Sequence, residues 1–533
     1  MKRAAFDYKK ILNISEAWRI LIILSCLATM VMYAETMLIP AIPTLINDFQ
    51  VSYGLSSWIL TAYLIAGAVM TPIAGKLSDI YGRKKILIII MVIYTCGVSL
   101  GGFSEDFLTM IIARTIQGVG LGMFPIAFSI IRDQFPRERI SITTGIITSM
   151  FAAGSVIGLS VGALIIHELG WKMTFFTIIP ISLVLLYMIV KFVHVSKTNK
   201  GHTDKDLKES KTNTTKKHYL HDDNKMRQKP KFYAQIDIIG SVLLAITIVS
   251  FLLSLTYLQT PSSAVDQSVN LTDEQTPLGY ESSPSSTLIN VAPFLIVGTV
   301  ALALFVIQER KSNNPLIDFS IFLRPPILLS NLIIMIVGLS MFMVFQTIPI
   351  LVQSPEPIGF TENAINTGKI QLPFAIVLLI FGPTSGFIIS RLGSIKPIII
   401  GTVLTAAGFL ILLVLHSSEI YISIGLAVLS TGLSLASVGA VNVTILSTPV
   451  QFTGVTMGIS TMLRIVGSSI GPALAAMYMQ TNQTSLSIQG IVMSLPSSFS
   501  FNLIFLTALM FSAAAIGMSI VLGRKLSLRG QIT

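Results

Sequence analysis

The sequence predicts an all-α polytopic membrane protein: fourteen transmembrane helices, arranged as two pseudo-symmetric six-helix bundles plus an inserted helix pair. Three observations predict it. Of the 533 residues, 52% are hydrophobic and only 11% charged, where a soluble protein carries about 25% charged residues. Apolar stretches of roughly 18 to 25 residues, the length a helix needs to cross about 30 Å of hydrocarbon, recur along the whole chain. Short motifs in the first third also return near the end at an almost constant offset. Inside lipid, only helices satisfy every backbone amide and carbonyl in segments of this length.

The first six stretches lie near 18–43, 54–75, 86–103, 107–130, 140–166 and 171–193, so residues 1–193 form a first six-helix bundle. Its lead-in, MKRAAFDYKKILNISEAWRI, is basic and runs into a stretch too long for a cleaved signal peptide, so it is expected to stay. Residues 194–232 are polar, Lys-rich and nearly free of apolar residues, the composition of a disordered cytoplasmic linker. His202, His218 and His221 fall there and read as solvated side chains. Apolar stretches resume near 236–257 and 289–308 and give an inserted pair within 233–325. The loop between them, 258–288, carries Asp266, Asp273, Glu274 and Glu281 without Lys or Arg, as an outside loop should. Stretches near 326–350, 372–390, 395–415, 419–446, 452–478 and 500–523 complete a second six-helix bundle over 326–533.

Positive charge sets the orientation. With both termini cytoplasmic, all but four of the 36 Lys and Arg residues fall on the inside. Lys172 and Lys369 lie outside, and Arg114 and Arg464 lie within spans. The net charge of +11 therefore reflects topology and attraction to anionic headgroups, and gives no reason to expect nucleic acid. Cys26 and Cys96 lie in apolar spans and read as buried structural thiols, with neither a disulfide nor a metal site expected.

The repeat fixes the architecture. GSVIG at 154–158 returns as GSSIG at 467–471, GKLSDIYG at 75–82 as GFIISRLG at 386–393, and Glu35-Thr36 as Gln346-Thr347. Each match couples the same ordinal helix of spans 1–6 and spans 9–14, and paired helices keep the same direction across the membrane. The two bundles are thus related by an axis along the membrane normal, with spans 7 and 8 inserted between them.

GKLSDIYGRKK at 75–85 resembles the loop between the second and third helices of the major facilitator superfamily, and ARTIQGVGLG at 113–122 looks like its fourth-helix Arg/Gly motif. The inserted pair, with GWKMTFFTIIPI at 170–181 and NPLIDFSIF at 314–322, is similar to the fourteen-helix drug:proton antiporter group typified by EmrB and QacA. The fifth-helix antiporter motif keeps Gly154, Gly158 and Gly162, with Leu159 where that group has proline. The resemblance implies proton-driven transport of small molecules without a cofactor. MYAETMLIPAIP matches the group's first-helix acidic motif loosely, usually Asp where this chain has Glu35, and Arg464 matches an arginine common in its penultimate helix.

The residues support a mechanism of their own. In the 75–85 loop, Gly75 and Gly82 permit a tight turn. Asp79 and Arg83, with Lys84 beside them, can bond to neighbouring helices when the inside face is closed and release them when it opens, with Arg132 and Asp133 as candidate partners. Ser390 stands in the second bundle where Asp79 stands in the first, so the latch is expected to be stronger on one side. The alternative is a positive-inside anchor alone. Charges buried in lipid cost at least about 2.5 kcal/mol and usually face a cavity or a partner. Glu35 is the one carboxylate well inside a predicted span, and Glu35 and Arg114 lie at comparable depth in the outer half, where they could meet. Glu35 then reads either as a proton-coupling and substrate group whose protonation changes with access, or as half of a fixed ion pair. Arg464, near the middle of span 13, is open to a structural or a functional reading.

Gly118, Gly122, Gly154, Gly158 and Gly162 read as helix-packing positions. Pro40, Pro43 and Pro349 read as helix bends or breaks, and Tyr33, Trp58, Tyr63 and Phe128 as cavity-lining or packing rings. Three function classes were weighed. Secondary transport is favoured, because the chain has no Gly-rich loop ending in Gly-Lys-Ser/Thr for ATP coupling. An enzyme is not expected, since no catalytic or metal-ligating cluster occurs in the spans, and His167 and His416 sit alone at outer helix ends. A receptor or scaffold would have no use for Glu35. The expected protein is a monomeric, multi-pass exporter of the cell membrane, driven by the proton gradient, whose partners are protons, lipid and an amphipathic or cationic drug-like substrate. A metabolite, sugar or siderophore on the same fold is the alternative.

Overall fold

The computed structural model describes residues 2–51, 53–56, 58–193, 237–259, 284–312, 315–362, 364–488 and 491–527. The 194–232 linker, its three histidines and most of the acidic 258–288 loop lie outside them. Fourteen helices are long and apolar enough to span: Glu16–Ala41, Trp58–Tyr81, Arg83–Gly102, Phe107–Gln134, Arg137–Leu169, Lys172–Phe192, Ile238–Tyr257, Val291–Lys311, Pro325–Gln353, Asn366–Leu392, Ile395–Leu415, Glu419–Ser447, Val450–Thr481 and Ser498–Leu526. They are spans 1 to 14 below.

Packing repeats as the motifs do. Gly154 and Gly158 of span 5 abut span 1 at Thr29 and Tyr33, and Gly467 and Gly471 of span 13 abut span 9 at Met335 and Leu339. The seam between the bundles uses two equivalent crossings, span 5 on span 10 and span 13 on span 2. On the first, Gly145 faces Gly382 and Gly386; on the second, Gly454 and Gly458 face Gly75, Thr71 and Pro72. Span 7 packs on both span 2 and span 13, so the inserted pair straddles the second crossing.

Glycine lets two of these elements form. Gly82, at a φ of 100°, turns the chain between spans 2 and 3 in a conformation that side-chain-bearing residues rarely adopt. Span 4 tightens to a 3-10 helix over Val119–Gly122, where a Cβ on Gly118 would strike the Tyr63 carbonyl and one on Gly122 would come within 2.8 Å of Ala74.

One expectation is corrected here. Cys26 and Cys96 are free and exposed rather than buried, because each lies on an outward helix face, one turn after the exposed Ile22 and Val92. Strands β1 (Gln483–Ile488) and β2 (Ile491–Pro496) pair antiparallel between spans 13 and 14. Asn482 and Ser497 close the base of this hairpin, the Ser497 amide donating to the Asn482 carbonyl at 2.9 Å.

On the face opposite the basic loops, Trp171 Nε1 donates to Asp48 Oδ2 at 2.8 Å, and the indole sits edge-on to Phe49 with centroids 5.6 Å apart. This ties the end of span 1 to span 6. Asp48→Ala is expected to lower stability by about 1 kcal/mol, read as an earlier thermal unfolding midpoint in detergent. An unchanged midpoint would mean that water replaces the carboxylate at no loss.

Candidate functional site

Span 1 supplies the central carboxylate through a break in its helix. Its regular α-helix ends at Thr36, and a 3-10 turn over Ile39–Ala41, with Pro40 inside it, follows before the helix Ile42–Phe49. The break leaves carbonyls of the last turn without intrahelical partners. Glu35 lies in that last turn, 7% exposed.

Arg114 does not pair with Glu35. Its guanidinium is wholly buried and donates instead to the carbonyls of Ala34 (2.9 Å) and Ile59 (3.0 Å) and to Gln117 Oε1 (2.7 Å), with the Tyr63 ring 4.5 Å away. The reason is the break. A freed carbonyl at a helix C-terminus is a strong acceptor, and the helix dipole adds to its pull on a cation. Among the described residues no ion pair or hydrogen bond joins Glu35, and its Oε2 is buried without a partner.

Arg464 is a second cation in the neighbourhood of Glu35. It comes from span 13, in the second bundle, and its guanidinium lies 5.3 Å from the centre of the Phe151 ring of span 5. Like Glu35 Oε2, the Nη2 atoms of Arg464 and Arg114 are buried without partners. Buried polar groups are normally hydrogen-bonded, so this site keeps unused capacity for a ligand or a proton. Tyr63 donates to the Val31 carbonyl at 3.1 Å and Phe128 packs edge-on to Phe151, which makes both part of the packing.

The second cluster lies at the face carrying the basic loops, on the seam. Asp79 accepts the backbone amides of Gly454 (3.1 Å) and Val455 (2.9 Å), in the first turn of the helix Thr453–Thr481. A carboxylate at a helix N-terminus meets free N–H groups and the positive end of the dipole. Arg83 lies 3.9 Å from Asp79, forms an ion pair with Asp133, and donates to the carbonyls of Ser129 (2.8 Å) and Val450 (3.1 Å). Arg132 crosses to Thr453 Oγ1 at 2.7 Å and to the Thr448 carbonyl. These contacts join the two bundles across the basic face.

Asp133 is thus a partner of Arg83, whereas Arg132 reaches past Asp79 to the other bundle. Lys84 turns away from the seam and donates to the Val190 carbonyl of span 6 at 2.7 Å. In the second bundle Ser390 bonds only within its own helix, to the Phe387 carbonyl at 2.7 Å, where the first bundle has Asp79. His167 meets Glu168 at 3.0 Å on an exposed surface, and His416 faces the Leu412 carbonyl. Lys76 and Glu309, both buried beside the seam, have no sequence signal that sets them apart: Lys76 is one more basic residue of the 75–85 loop, and Glu309 lies just past the predicted end of span 8.

The model of the Major Facilitator Superfamily matches residues 24–472. An uncharacterized MFS-type transporter of Bacillus subtilis, YhcA, is 24% identical over 477 residues, 89% of this chain and 78% of that one. The multidrug transporter protein MdtP of the same organism is 24% identical over 74% of this chain, which spans 63% of MdtP. The tetracenomycin C resistance and export protein of Streptomyces glaucescens is 23% identical over 87% of this chain and 76% of its own. Among solved structures, the human organic anion transporter MFSD10 aligns with a TM-score of 0.60 at 14% identity, over 94% of this chain and 99% of that one. The proton:xylose symporter XylE aligns at 0.56 and 12% identity, over 94% and 95%. At such identities the structural likeness speaks for the fold alone.

Proposed function

This chain belongs to the Major Facilitator Superfamily and is a membrane transporter, and on that premise we propose that it is a proton-coupled antiporter exporting amphipathic, drug-like compounds from the cell. The observation that carries the reading is Glu35. It is a carboxylate buried mid-molecule with an unpartnered oxygen, under the influence of a cation from the opposite bundle. A group so placed changes its surroundings whenever the two bundles rock, and a change of surroundings changes its proton affinity. The relatives named as a multidrug transporter and a resistance and export protein support drug export as the direction and cargo.

In the proposed cycle the basic face is cytoplasmic, as are both termini, and the working unit is a monomer. Asp79, Arg83, Arg132 and Asp133 latch that face when the site looks outward. When the latch opens, substrate enters from the cytoplasm and binds against Glu35 and its neighbours. The bundles rock, a proton from outside binds Glu35, and the substrate leaves. Proton binding to Glu35 then allows the return.

The test is loss of a fluorescent amphipathic dye from energised cells with and without a protonophore. Cells making the protein should lose dye faster, and the protonophore should erase the difference. Equal loss from cells lacking the protein would remove drug export, and faster loss that survives the protonophore would remove proton coupling. Specific binding without flux would point to a receptor.

A further inference from the structure

The inserted helix pair is tied to the latch by groups that the cycle above does not use. Lys76 sits one residue after Gly75 and three before Asp79, on the turn of span 2 that meets span 13. It is 4% exposed, and its Nζ donates to the Pro315 carbonyl at 2.9 Å. Pro315 opens a strap, residues 315–318, that follows span 8 and leads to span 9. Glu309, 3% exposed, holds the strap from the other side: its Oε1 accepts the Leu316 amide and its Oε2 the Ile317 amide, each at 3.1 Å.

The anchorage continues into span 7. Asp237 accepts the Gly240 amide at 2.7 Å and Gln308 Nε2 at 3.0 Å, and a Cβ on Gly240 would stand 2.6 Å from Glu309 Oε1. Leu316 and Ile317 are buried in the core beside spans 2 and 13. Lys76 lies one helical turn before Asp79 and bonds the same strap that Glu309 holds, so one buried cation links the latch turn to the strap. Spans 7 and 8 therefore grip the same turn, Gly75–Asp79, from which Asp79 reaches the Gly454 and Val455 amides.

We propose that the inserted helix pair is a brace for the inside latch, with Lys76 and Glu309 as positioning residues that aim Asp79 at the first turn of span 13 and so favour the inside-closed conformer. The proposal rests on the latch reading. A carboxylate aligned with two amides loses most of that bonding on a small rotation of its helix, and the Lys76 to Pro315 tie resists such a rotation. Removing it moves the conformational balance without touching the substrate or proton groups.

The experiment measures the distance across the basic face of the full chain in lipid nanodiscs, by pulsed electron resonance between spin labels at Glu138→Cys and Arg391→Cys. Both positions are exposed, on opposite bundles; Cys26 and Cys96 are first replaced by Ser. Lys76→Met and Glu309→Gln should each raise the long-distance population, relative to the short one, about ten-fold. Lys76→Arg, which keeps the donor and the charge, should restore the wild-type distribution. The double variant should shift no further than Lys76→Met, because the two residues hold one strap. Asp79→Asn is the control for the latch itself. If it opens the face while Lys76→Met and Glu309→Gln do not, the brace is refuted and the latch stands. If none of the three shifts the distribution, both ideas fall.

Discussion

Replacing Glu35 with Gln is expected to stop proton-driven export, with initial rates falling at least about 30-fold, while the protein folds as well as the wild type. The expectation follows from what the carboxylate lacks. Its Oε2 is buried without a partner and no ion pair joins it, so an isosteric neutral amide removes no bond that supports the fold. Arg114 keeps all three of its acceptors, on Ala34, Ile59 and Gln117, in the variant. A glutamine cannot take up and release a proton, so coupling goes, and because it resembles the protonated carboxyl that releases substrate, dye binding weakens with it.

The competing account, a fixed structural charge, predicts the reverse pattern. Breaking a buried ion pair costs about 3–5 kcal/mol, so Glu35→Gln would then unfold early and accumulate poorly. Purified variant and wild type would be compared by thermal midpoint, by dye binding and by uptake into proteoliposomes under an imposed pH gradient. An unchanged midpoint with weakened binding and lost gradient-driven flux supports coupling at Glu35. A midpoint lowered by several degrees, or undiminished flux, places the coupling elsewhere.

The fold was legible because lipid leaves the chain so few options. Length, hydropathy and loop charge located fourteen helices, and the GSVIG and GSSIG copies marked positions that pack on equivalent partners, span 1 in one bundle and span 9 in the other. The site was legible only as a set of residue types. Side-chain motifs brought Asp79, Arg83 and Asp133 to one place, but the partners of Asp79 are the backbone amides of Gly454 and Val455, which have no signature in a sequence. Pro40 marked the helix break, but depth counting put Glu35 level with Arg114 and took no account of the Ala34 carbonyl that the break offers to Arg114. QTSLSI alternates polar and apolar residues as a strand does, whereas IVMSLP reads as one more apolar piece between two helical spans.

Leucine at Gly458 or Gly386 is expected to reduce export about 100-fold by keeping the two bundles apart at the basic face, with expression unchanged. The two glycines lie on the two equivalent crossings of the seam. A Cβ at Gly458 would collide with the Thr71 carbonyl and come within 2.7 Å of Pro72 Cα; one at Gly386 would stand 2.5 Å from the Ser141 carbonyl and 2.8 Å from Ile142 Cα. In each case the obstacle is backbone of a facing helix, which no rotamer change can move aside. Overpacking of this kind costs about 1–3 kcal/mol where side chains can yield, and a rigid helix pair stands at the upper end. At about 1.4 kcal/mol per factor of ten, 3 kcal/mol moves the balance between inside-closed and inside-open by more than a hundred-fold. The penalty applies only to the closed conformer, so each bundle folds normally and substrate still reaches the site from the cytoplasm. Alanine at the same positions should give smaller losses than leucine, since it adds only the first of the colliding atoms. Binding measured from the cytoplasmic side, together with flux, separates the possibilities. Intact binding with lost flux fits a transporter that can load but not close, whereas full flux in both leucine variants would show that the seam does not close this tightly during the cycle.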